Sequence, residues 1–332
     1  MTQPILMDVD TGVDDALALI YLLASQEAEI VAITCTAGNV PARQVAANNL
    51  AILELCNAGD IEVALGSDVP LVEPLQTTES THGGQGLGYS QLPISGRALS
   101  ARSAVEVWVS TVRERPGEVI GVVTGPMTNL ALAVRLEPEL PRLLKRLVVM
   151  GGSFEHAGNV TATAEWNIAV DPEAAKIVFD AFGGLPEDRL PLVCGLNITE
   201  SIVMTPAHLD KLAVLAGDPD ARTALPKFLA DAIRFYFEFH ESVGAGYVAF
   251  MHDPLAAALA IHPELATARA ATVDVELAGT LTRGATIADW TGRWGRPTNA
   301  AVVTKVSPDL FFDRLIDRIA RLARELQPKL RM

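Results

Sequence analysis

The fold is decided near the start of the chain, in the run Ile5-Leu6-Met7-Asp8-Val9-Asp10-Thr11-Gly12-Val13-Asp14-Asp15-Ala16. The apolar residues before the aspartates predict a short strand, and the apolar residues after them predict a buried helix. No lysine or arginine precedes Arg43. Carboxylates this crowded resist ionising together unless a cation holds them, and a helix N-terminus supplies only a fraction of a charge. We therefore expect an oxygen-ligated divalent metal here, and with it an enzyme site.

Beyond this run, short β-branched segments alternate with amphipathic segments of helical length. Strands are predicted over residues 5–9, 30–35, 119–123, 147–150 and 190–194, with three more near the C-terminus over 270–277, 285–289 and 300–304. Helices are predicted over 13–24, 42–56, 103–115, 129–136 and 172–182. This alternation predicts an α/β fold, with an open, mostly parallel sheet and helices on both faces. We expect one domain that spans residues 1–332.

Several predicted strands end in small or polar turns, and these are Asp10-Thr11-Gly12, Ala37-Gly38-Asn39, Thr124-Gly125-Pro126 and Met150-Gly151-Gly152. Ligands of open α/β sheets bind outside the carboxyl ends of the strands, so these turns should line one crevice. Two stretches break the alternation, 73–93 and 241–249. The first contains the glycine-rich run 81–88 and is either a mobile lid or an ordinary surface loop.

The composition limits the classes of partner. There are 40 acidic and 26 basic residues, for a net charge of -14. This excess of acid argues against binding to nucleic acid or to anionic membranes. Four arginines recur at helical spacing in the last predicted helix and suggest a solvated outer face; they are Arg314, Arg318, Arg321 and Arg324. The three cysteines, far apart and in apolar surroundings, favour a reduced, cytoplasmic protein.

The aspartate cluster has rival interpretations. As an EF-hand loop it fails, because Gly12 comes one residue early and Leu19 stands where a glutamate is needed. As a phosphotransferase of the haloacid-dehalogenase type, Asp8 would be the nucleophile beside a magnesium ion, but the later lysine and acidic pair of that class have no clear counterpart. As a helix cap, one aspartate would suffice. Metal binding is the interpretation that uses all four.

Two Asp-Pro pairs are ambiguous from spacing alone. Asp171-Pro172 and Asp253-Pro254 both fit an N-cap followed by proline at the first helical position. His252 precedes the second pair, but nothing in the spacing separates the two pairs. A third motif, Gly151-Gly152-Ser153, lacks the lysine of a phosphate loop.

The motifs together resemble those of a known family, the inosine–uridine preferring nucleoside hydrolases. The resemblance rests on Asp8 to Ala16, Gly38-Asn39, Thr124 to Asn129, Met150-Gly151-Gly152, Glu165-Trp166-Asn167 and His252-Asp253-Pro254, which occur in the family's order. It extends from residue 5 to the last helix. It implies the nucleoside hydrolase fold, which has a Rossmann-like core.

The resemblance also implies site residues and a cofactor. A calcium ion would be held by carboxylates matching Asp10, Asp15 and Asp253 and by the backbone carbonyl of Thr124. The ribose hydroxyls would be held by groups matching Asp14, Asn39, Asn159, Glu165 and Asn167, with Met150 beneath the sugar. On this basis Asp253 caps its helix and also binds the metal. Asp171 either caps its helix or supports a metal ligand without binding the ion itself.

The implied reaction is hydrolysis of a ribonucleoside to free base and ribose. Asp10 is expected to act as general base on water, and His252 as the acid that assists the departing base, with His82 on the 73–93 loop as the other substrate-contacting candidate. Tyr236, His240 and Tyr247 lie near expected base contacts, and purine or pyrimidine preference stays open. A homodimer or homotetramer is expected. The alternatives are the phosphatase described above and a nucleoside-binding protein without catalysis.

Overall fold

The strands of the sheet are set by the β-branched runs that the sequence shows. A computed structural model describes residues 2–327. Its strands are β1 (Gln3–Val9), β2 (Ala28–Cys35), β3 (Glu62–Leu65), β4 (Ile120–Val123), β5 (Arg146–Met150), β6 (Leu192–Cys194), β7 (Val203–Met204), β8 (Ala249–Phe250), β9 (Ala266–Val275), β10 (Thr286–Asp289) and β11 (Ala300–Val306).

Helices fill most of the segments between the strands. They are α1 (Val13–Leu23), α2 (Ala42–Leu55), α3 (Glu79–His82), α4 (Ala104–Glu114), α5 (Thr128–Leu136), α6 (Leu140–Leu143), α7 (Trp166–Val170), α8 (Pro172–Ala181), α9 (Leu196–Thr199), α10 (Pro206–Leu215), α11 (Ala224–Ser242), α12 (His252–Ile261) and α13 (Pro308–Leu326). None of the helices in residues 2–327 is both long and apolar enough to cross a membrane.

Nine strands form one sheet in the order β10-β9-β11-β6-β5-β4-β1-β2-β3. In this spatial order, every neighbouring pair from β11 to β3 is parallel. The strand β9 runs antiparallel to both of its neighbours, β10 and β11. The central order 3-2-1-4-5-6 is that of a doubly wound fold, and the chain reverses direction across the sheet between β1 and β4. The crevice at this switch point is where such folds bind ligands. The predicted α/β class is confirmed.

The predicted elements agree with the observed ones to within a few residues. The strand β3, which has only four residues, was missed. The stretch 73–93 contains the short helix α3. In the second irregular stretch, 241–249, the helix α11 continues to Ser242 before the loop begins. Boundaries of this kind depend on local hydrogen bonds that periodicity does not record.

The core lies on both faces of the sheet. α1 and α12 pack together on one face, and every residue of α12 is buried. The three cysteines are buried and unpaired, as predicted.

The sequence suggested that the arginine face of α13 is solvated, but two of its arginines bind other parts of the protein. Arg318 donates two hydrogen bonds of 2.8 Å to Glu27, and its side chain is 13% exposed. Arg321 donates to the carbonyl of Ala24 at 2.6 Å. These bonds join the last helix to the turn before β2, because the buried face of α13 brings its arginines close to that turn.

Candidate active site

Asp10 follows β1 at the switch point and is fully buried. Its Oδ2 accepts a hydrogen bond from the backbone N–H of Asn39 at 2.8 Å. Its Oδ1 has no hydrogen-bond partner in the described residues. A methyl group on Gly38 would overlap Oδ2, and one on Gly125 would lie 3.0 Å from Oδ1. Two glycines therefore make room for this carboxylate.

Three further carboxylates meet beside it. One oxygen from each of Asp14, Asp15 and Asp253 lies within 4.8 Å of the others, and all three residues are buried. Asp15 accepts hydrogen bonds from Thr124 Oγ1 at 2.7 Å and from the N–H of Gly12 at 2.9 Å. The structure thus joins Asp14, expected as a ribose contact, to two of the expected metal ligands.

The electrostatics of this cluster favour a bound cation. Burial, and next the charge of Asp15, raises the pKa of Asp14 to about 7. The pKa of Asp10 is raised by the same two causes, and burial and the charges of Asp14 and Asp15 raise that of Asp253. Within residues 2–327 no lysine or arginine forms an ion pair with these acids, and their nearest basic atom is His82 Nδ1, 3.9 Å from Asp14. Oxygen donors of this kind fit a hard divalent ion such as Ca²⁺.

Asp253 does not cap its helix, contrary to the sequence prediction. α12 begins at His252 after Met251, so Asp253 is the second helical residue, and no side chain caps the helix. Asp171 does cap α8, because its Oδ1 accepts from the N–H of Ala174 at 3.0 Å. The two Asp-Pro pairs look alike in sequence, but the preceding strand β8 changes where the second helix starts.

The remaining expected sugar contacts surround Thr124. Asn167 Nδ2 donates to the Thr124 carbonyl at 2.7 Å and lies 3.3 Å from Met150 Sδ. Glu165 accepts hydrogen bonds from the N–H groups of Asn167 and Gly152 at 2.8 and 2.9 Å. Burial nevertheless raises the pKa of Glu165 to about 7.

Two other expected sugar contacts, Asn159 and Asn39, also line the cavity and have partners within the protein. Asn159 is exposed, and its Oδ1 accepts from the N–H of Trp166 at 3.0 Å. Asn39 Nδ2 donates to Asp15 at 3.3 Å, so it already has a partner in the acidic cluster.

Two expected histidines face the same cavity. His252 is buried, and its Nδ1 is 2.8 Å from Thr199 Oγ1. His82 Nδ1 accepts a hydrogen bond from the N–H of Val13 at 3.1 Å. Burial, followed by the charge of His240, lowers the pKa of each to about 3, so both rings are uncharged at neutral pH.

The loop that carries His82 is tied through α2 to the turn between β1 and α1. Asn48 Nδ2 donates to the carbonyls of Thr11 and Gln85 at 3.2 and 2.8 Å. A methyl group on Gly12 would lie 2.5 Å from His82 Nδ1. Gly12, in the aspartate motif, therefore also leaves room for His82 to approach. The sequence did not reveal this requirement for a glycine.

Most of the expected site residues line one cavity of about 520 Å³, a size typical of small-molecule sites. Asp10 and Asp15 lie behind its lining, buried within the acidic cluster. The sequence analysis placed Tyr236, His240 and Tyr247 only near the expected base contacts, and it did not identify Thr199. Tyr236 and His240 line the cavity from α11, whereas Tyr247 packs on Phe237 and is not part of its lining. Thr199, the partner of His252, was missed because no sequence pattern marks a hydroxyl brought in from a distant helix.

Comparisons with known proteins identify the family to which the chain is similar. Residues 5–313 match the family profile described as "Inosine-uridine preferring nucleoside hydrolase". The chain is 38% identical over 320 residues to the "Pyrimidine-specific ribonucleoside hydrolase RihA" of Salmonella paratyphi A (strain ATCC 9150 / SARB42), which covers 96% of this chain and 99% of that protein.

Solved structures are similar in fold as well. A structure titled "Purine-Preferring Ribonucleoside Hydrolase from Gardnerella vaginalis" superposes with a TM-score of 0.89 at 33% identity, over 97% of this chain and 100% of the other. The structure titled "Plant nucleoside hydrolase - PpNRh1 enzyme" gives 0.87 at 30% identity, over 96% and 99%.

Proposed function

Because the chain belongs to the family of inosine-uridine preferring nucleoside hydrolases, we propose that it cleaves the N-glycosidic bond of ribonucleosides in a calcium-dependent reaction at this cavity. The observation that carries the proposal is the buried acidic cluster at the switch point, with the unpartnered oxygen of Asp10 beside it. Such a cluster is costly to bury unless a cation compensates it.

The proposed metal ligands are the carboxylates of Asp10, Asp15 and Asp253 and the backbone carbonyl of Thr124. Asp14 lies close enough to join them or to bind a ribose hydroxyl. When bound, a divalent ion would lower the pKa of a water molecule and orient it.

Asp10 is the proposed general base. Its Oδ2 is fixed by the N–H of Asn39, and its Oδ1 is buried without a protein partner. We propose that Oδ1 accepts the proton from a water molecule enclosed beside it. Cleavage then proceeds through an oxocarbenium-like sugar, as in glycoside hydrolysis. We propose that Asp14, Asn39, Asn159, Glu165 and Asn167 hold the hydroxyls of that sugar and that Met150 lies beneath it.

His252 is the proposed donor to the departing base. Because the ring is uncharged at neutral pH, it assists by hydrogen bonding from Nε2–H. The Thr199 hydroxyl stabilises that tautomer when it donates to Nδ1. His82 is the second candidate; it lies on the 73–93 loop, with its ring 5.4 Å from that of Tyr236 between centroids.

The similar proteins do not indicate which base is preferred, since one is named pyrimidine-specific and another purine-preferring. We propose a ribonucleoside substrate and expect strong selection for the ribose. A site built around a hydroxyl discriminates strongly against a substrate that lacks it, so deoxyuridine should be cleaved orders of magnitude more slowly than uridine. Comparable kcat/KM values would contradict the proposed sugar site.

The metal is tested by measuring bound calcium and hydrolysis of uridine and inosine before and after chelation. Asp15→Ala should lose both the ion and the activity while it stays folded. Asp8→Asn is the control, because Asp8 accepts hydrogen bonds from Asn129 and Trp108 at 2.8 and 3.3 Å and not from the acidic cluster. The asparagine oxygen can keep the shorter bond, and the longer one from Trp108 is lost. This variant should keep the ion. Full activity in strong chelator would contradict calcium dependence.

The same control separates the phosphatase alternative. Asp8 would be the nucleophile of that chemistry, but its two carboxylate oxygens are held inside the protein. Asp8→Asn should therefore retain nucleoside hydrolysis. The family membership makes the chain an enzyme, so the non-catalytic alternative is dropped. Cytoplasmic location and assembly as a homodimer or homotetramer stay predictions.

A further inference from the structure

Three histidines present the same ring atom to the cavity. His82, His240 and His252 all line it, and each has Nδ1 bound within the protein. Within residues 2–327, no protein group pairs with their Nε2 atoms, and none of these atoms is among the sealed polar atoms without a partner. Each Nε2 is therefore accessible to a ligand.

The proton on His240 has a fixed position. Its Nδ1 lies 2.8 Å from the carbonyl oxygen of Tyr236, one helical turn earlier in α11. A carbonyl can only accept, so Nδ1 must carry the proton. Burial also lowers the pKa of His240, which keeps the ring uncharged at neutral pH. Its Nε2 is consequently a hydrogen-bond acceptor.

His82 has the opposite arrangement. Its Nδ1 accepts from the backbone N–H of Val13 at 3.1 Å. A backbone N–H can only donate, so the neutral ring carries its proton on Nε2. His252 differs from both, because the hydroxyl of Thr199 can donate or accept. The cavity thus contains one fixed donor, one fixed acceptor and one ring that can change tautomer.

The two fixed rings flank a common aromatic wall. The His82 ring lies 5.4 Å from the Tyr236 ring between centroids, and Tyr236 lies 4.4 Å from His240. His240 is in turn held edge-on by Phe250 at 4.7 Å. A base that enters this cavity would find His82 as a donor and His240 as an acceptor in the lining beside Tyr236.

We propose that His240 is a specificity residue whose Nε2 accepts a hydrogen bond from a ring N–H of the base, while His82 Nε2–H donates to an acceptor on the same base. This inference rests on the proposed nucleoside hydrolysis and adds the residue that reads the base. The N3–H of uracil and the N1–H of hypoxanthine are groups of the required kind. A leaving group without an N–H gains nothing from His240.

The test compares pairs of substrates that differ only in this hydrogen. Uridine with 3-methyluridine, and inosine with 1-methylinosine, are measured with the wild-type protein and with His240→Phe. Removing the acceptor should lower kcat/KM for the N–H substrates about tenfold, the usual effect of one lost hydrogen bond in a buried site. The N-methyl substrates should change little, so the penalty for methylation shrinks by the same factor.

Steric effects are separated by the design, since any clash of the methyl group persists in both proteins. His240→Gln, whose amide oxygen is an acceptor, should restore part of the discrimination. His208→Phe is the matched control: this histidine stacks on Phe312, outside the cavity lining, and its loss should leave the substrate ratios unchanged. p-Nitrophenyl riboside, which offers no N–H, should lose less kcat/KM than uridine does in His240→Phe.

An unchanged methylation penalty in His240→Phe would overturn the assignment of His240 while nucleoside hydrolysis itself stands. Absence of hydrolysis of every riboside by the wild-type protein would instead contradict the proposed function. Calcium content and thermal unfolding of each variant show whether the fold and the acidic cluster are intact.

Discussion

Asp10 occupies a space that only its glycine neighbours leave open. Gly38 and Gly125 approach the two oxygens of the carboxylate from different loops. The sequence shows these glycines as turn residues, but their contact with Asp10 depends on the closeness of β1, β2 and β4. The position of the proposed general base, Asp10, is therefore set by two glycines, which leave space for its carboxylate because they have no side chain.

Gly38→Ala should lower kcat strongly, because the added methyl group forces the Asp10 carboxylate to move. Displacement of a catalytic group by about 1 Å can cost about a hundredfold in rate. Hydrolysis of uridine measures the effect. Gly59→Ala is the control, since nothing lies within 4 Å of that position, and equal activities of the two variants would show that Asp10 tolerates the shift.

Asp10→Asn and His252→Ala should differ in how their effects depend on the leaving group. Asp10 is proposed to act on water, which all substrates share, so its loss should reduce every kcat alike. His252 is proposed to assist the base, so its loss should hurt natural nucleosides far more than p-nitrophenyl riboside, whose phenolate departs unaided. Equal losses for both substrates in His252→Ala would make His252 a packing residue.

The elements show why identical motifs differ in role. α8 begins one residue after Asp171, whereas α12 begins before Asp253 and directs that carboxylate to the acidic cluster. What precedes each helix differs: α8 follows a short helix, and α12 follows β8, which pairs with β7. Local sequence cannot report this pairing.

Asp171→Ala should destabilise the protein and leave metal binding intact. The change removes a cap from α8, worth about 1 kcal/mol, and also the acceptor of hydrogen bonds from Thr128 at 2.7 Å and Leu71 at 2.9 Å. Asp253→Ala should show the reverse, with loss of calcium and activity. Urea unfolding and calcium content of the two variants distinguish them; the same pattern in both would contradict the assignment.

The whole molecule is closed by contacts between its two ends. Glu27, just before β2, pairs with Arg318 of α13 across 291 positions of sequence. Partial burial acts to raise the pKa of Glu27, but the hydrogen bonds and charge of Arg318 outweigh it, so the pKa lies below its ordinary value. A carboxylate of this kind stabilises the fold above its unfolded pKa of about 4.3.

Glu27→Gln should therefore be less stable than wild type at neutral pH, by less than about 1 kcal/mol because the pair is partly exposed. The difference should vanish as the pH falls through the folded pKa of Glu27. Urea unfolding of both proteins from neutral pH to about pH 3 measures it. In an Arg318→Met background, the pH-dependent effect of Glu27→Gln should shrink to the part contributed by His262, whose Nε2 lies 3.5 Å from Glu27. An undiminished effect would show that Arg318 is not the main partner.

The sequence by itself determined the alternation of strands and helices, the sheet class, the acidic cluster and the motif order of the family. These features are local: hydrophobic periodicity and the crowding of Asp8, Asp10, Asp14 and Asp15 are visible over a few residues. Most of the site residues follow strands, so the parallel sheet brings them to one edge.

The tertiary structure alone decided which groups touch. It brought Thr199 to His252 and set His82 and His240 in opposite tautomers through carbonyl and N–H partners. It also removed the capping role of Asp253, which the family resemblance had already grouped with Asp10 and Asp15. Hydrogen-bond polarity depends on the partner in space, and residues far apart in the chain meet only when the core has packed.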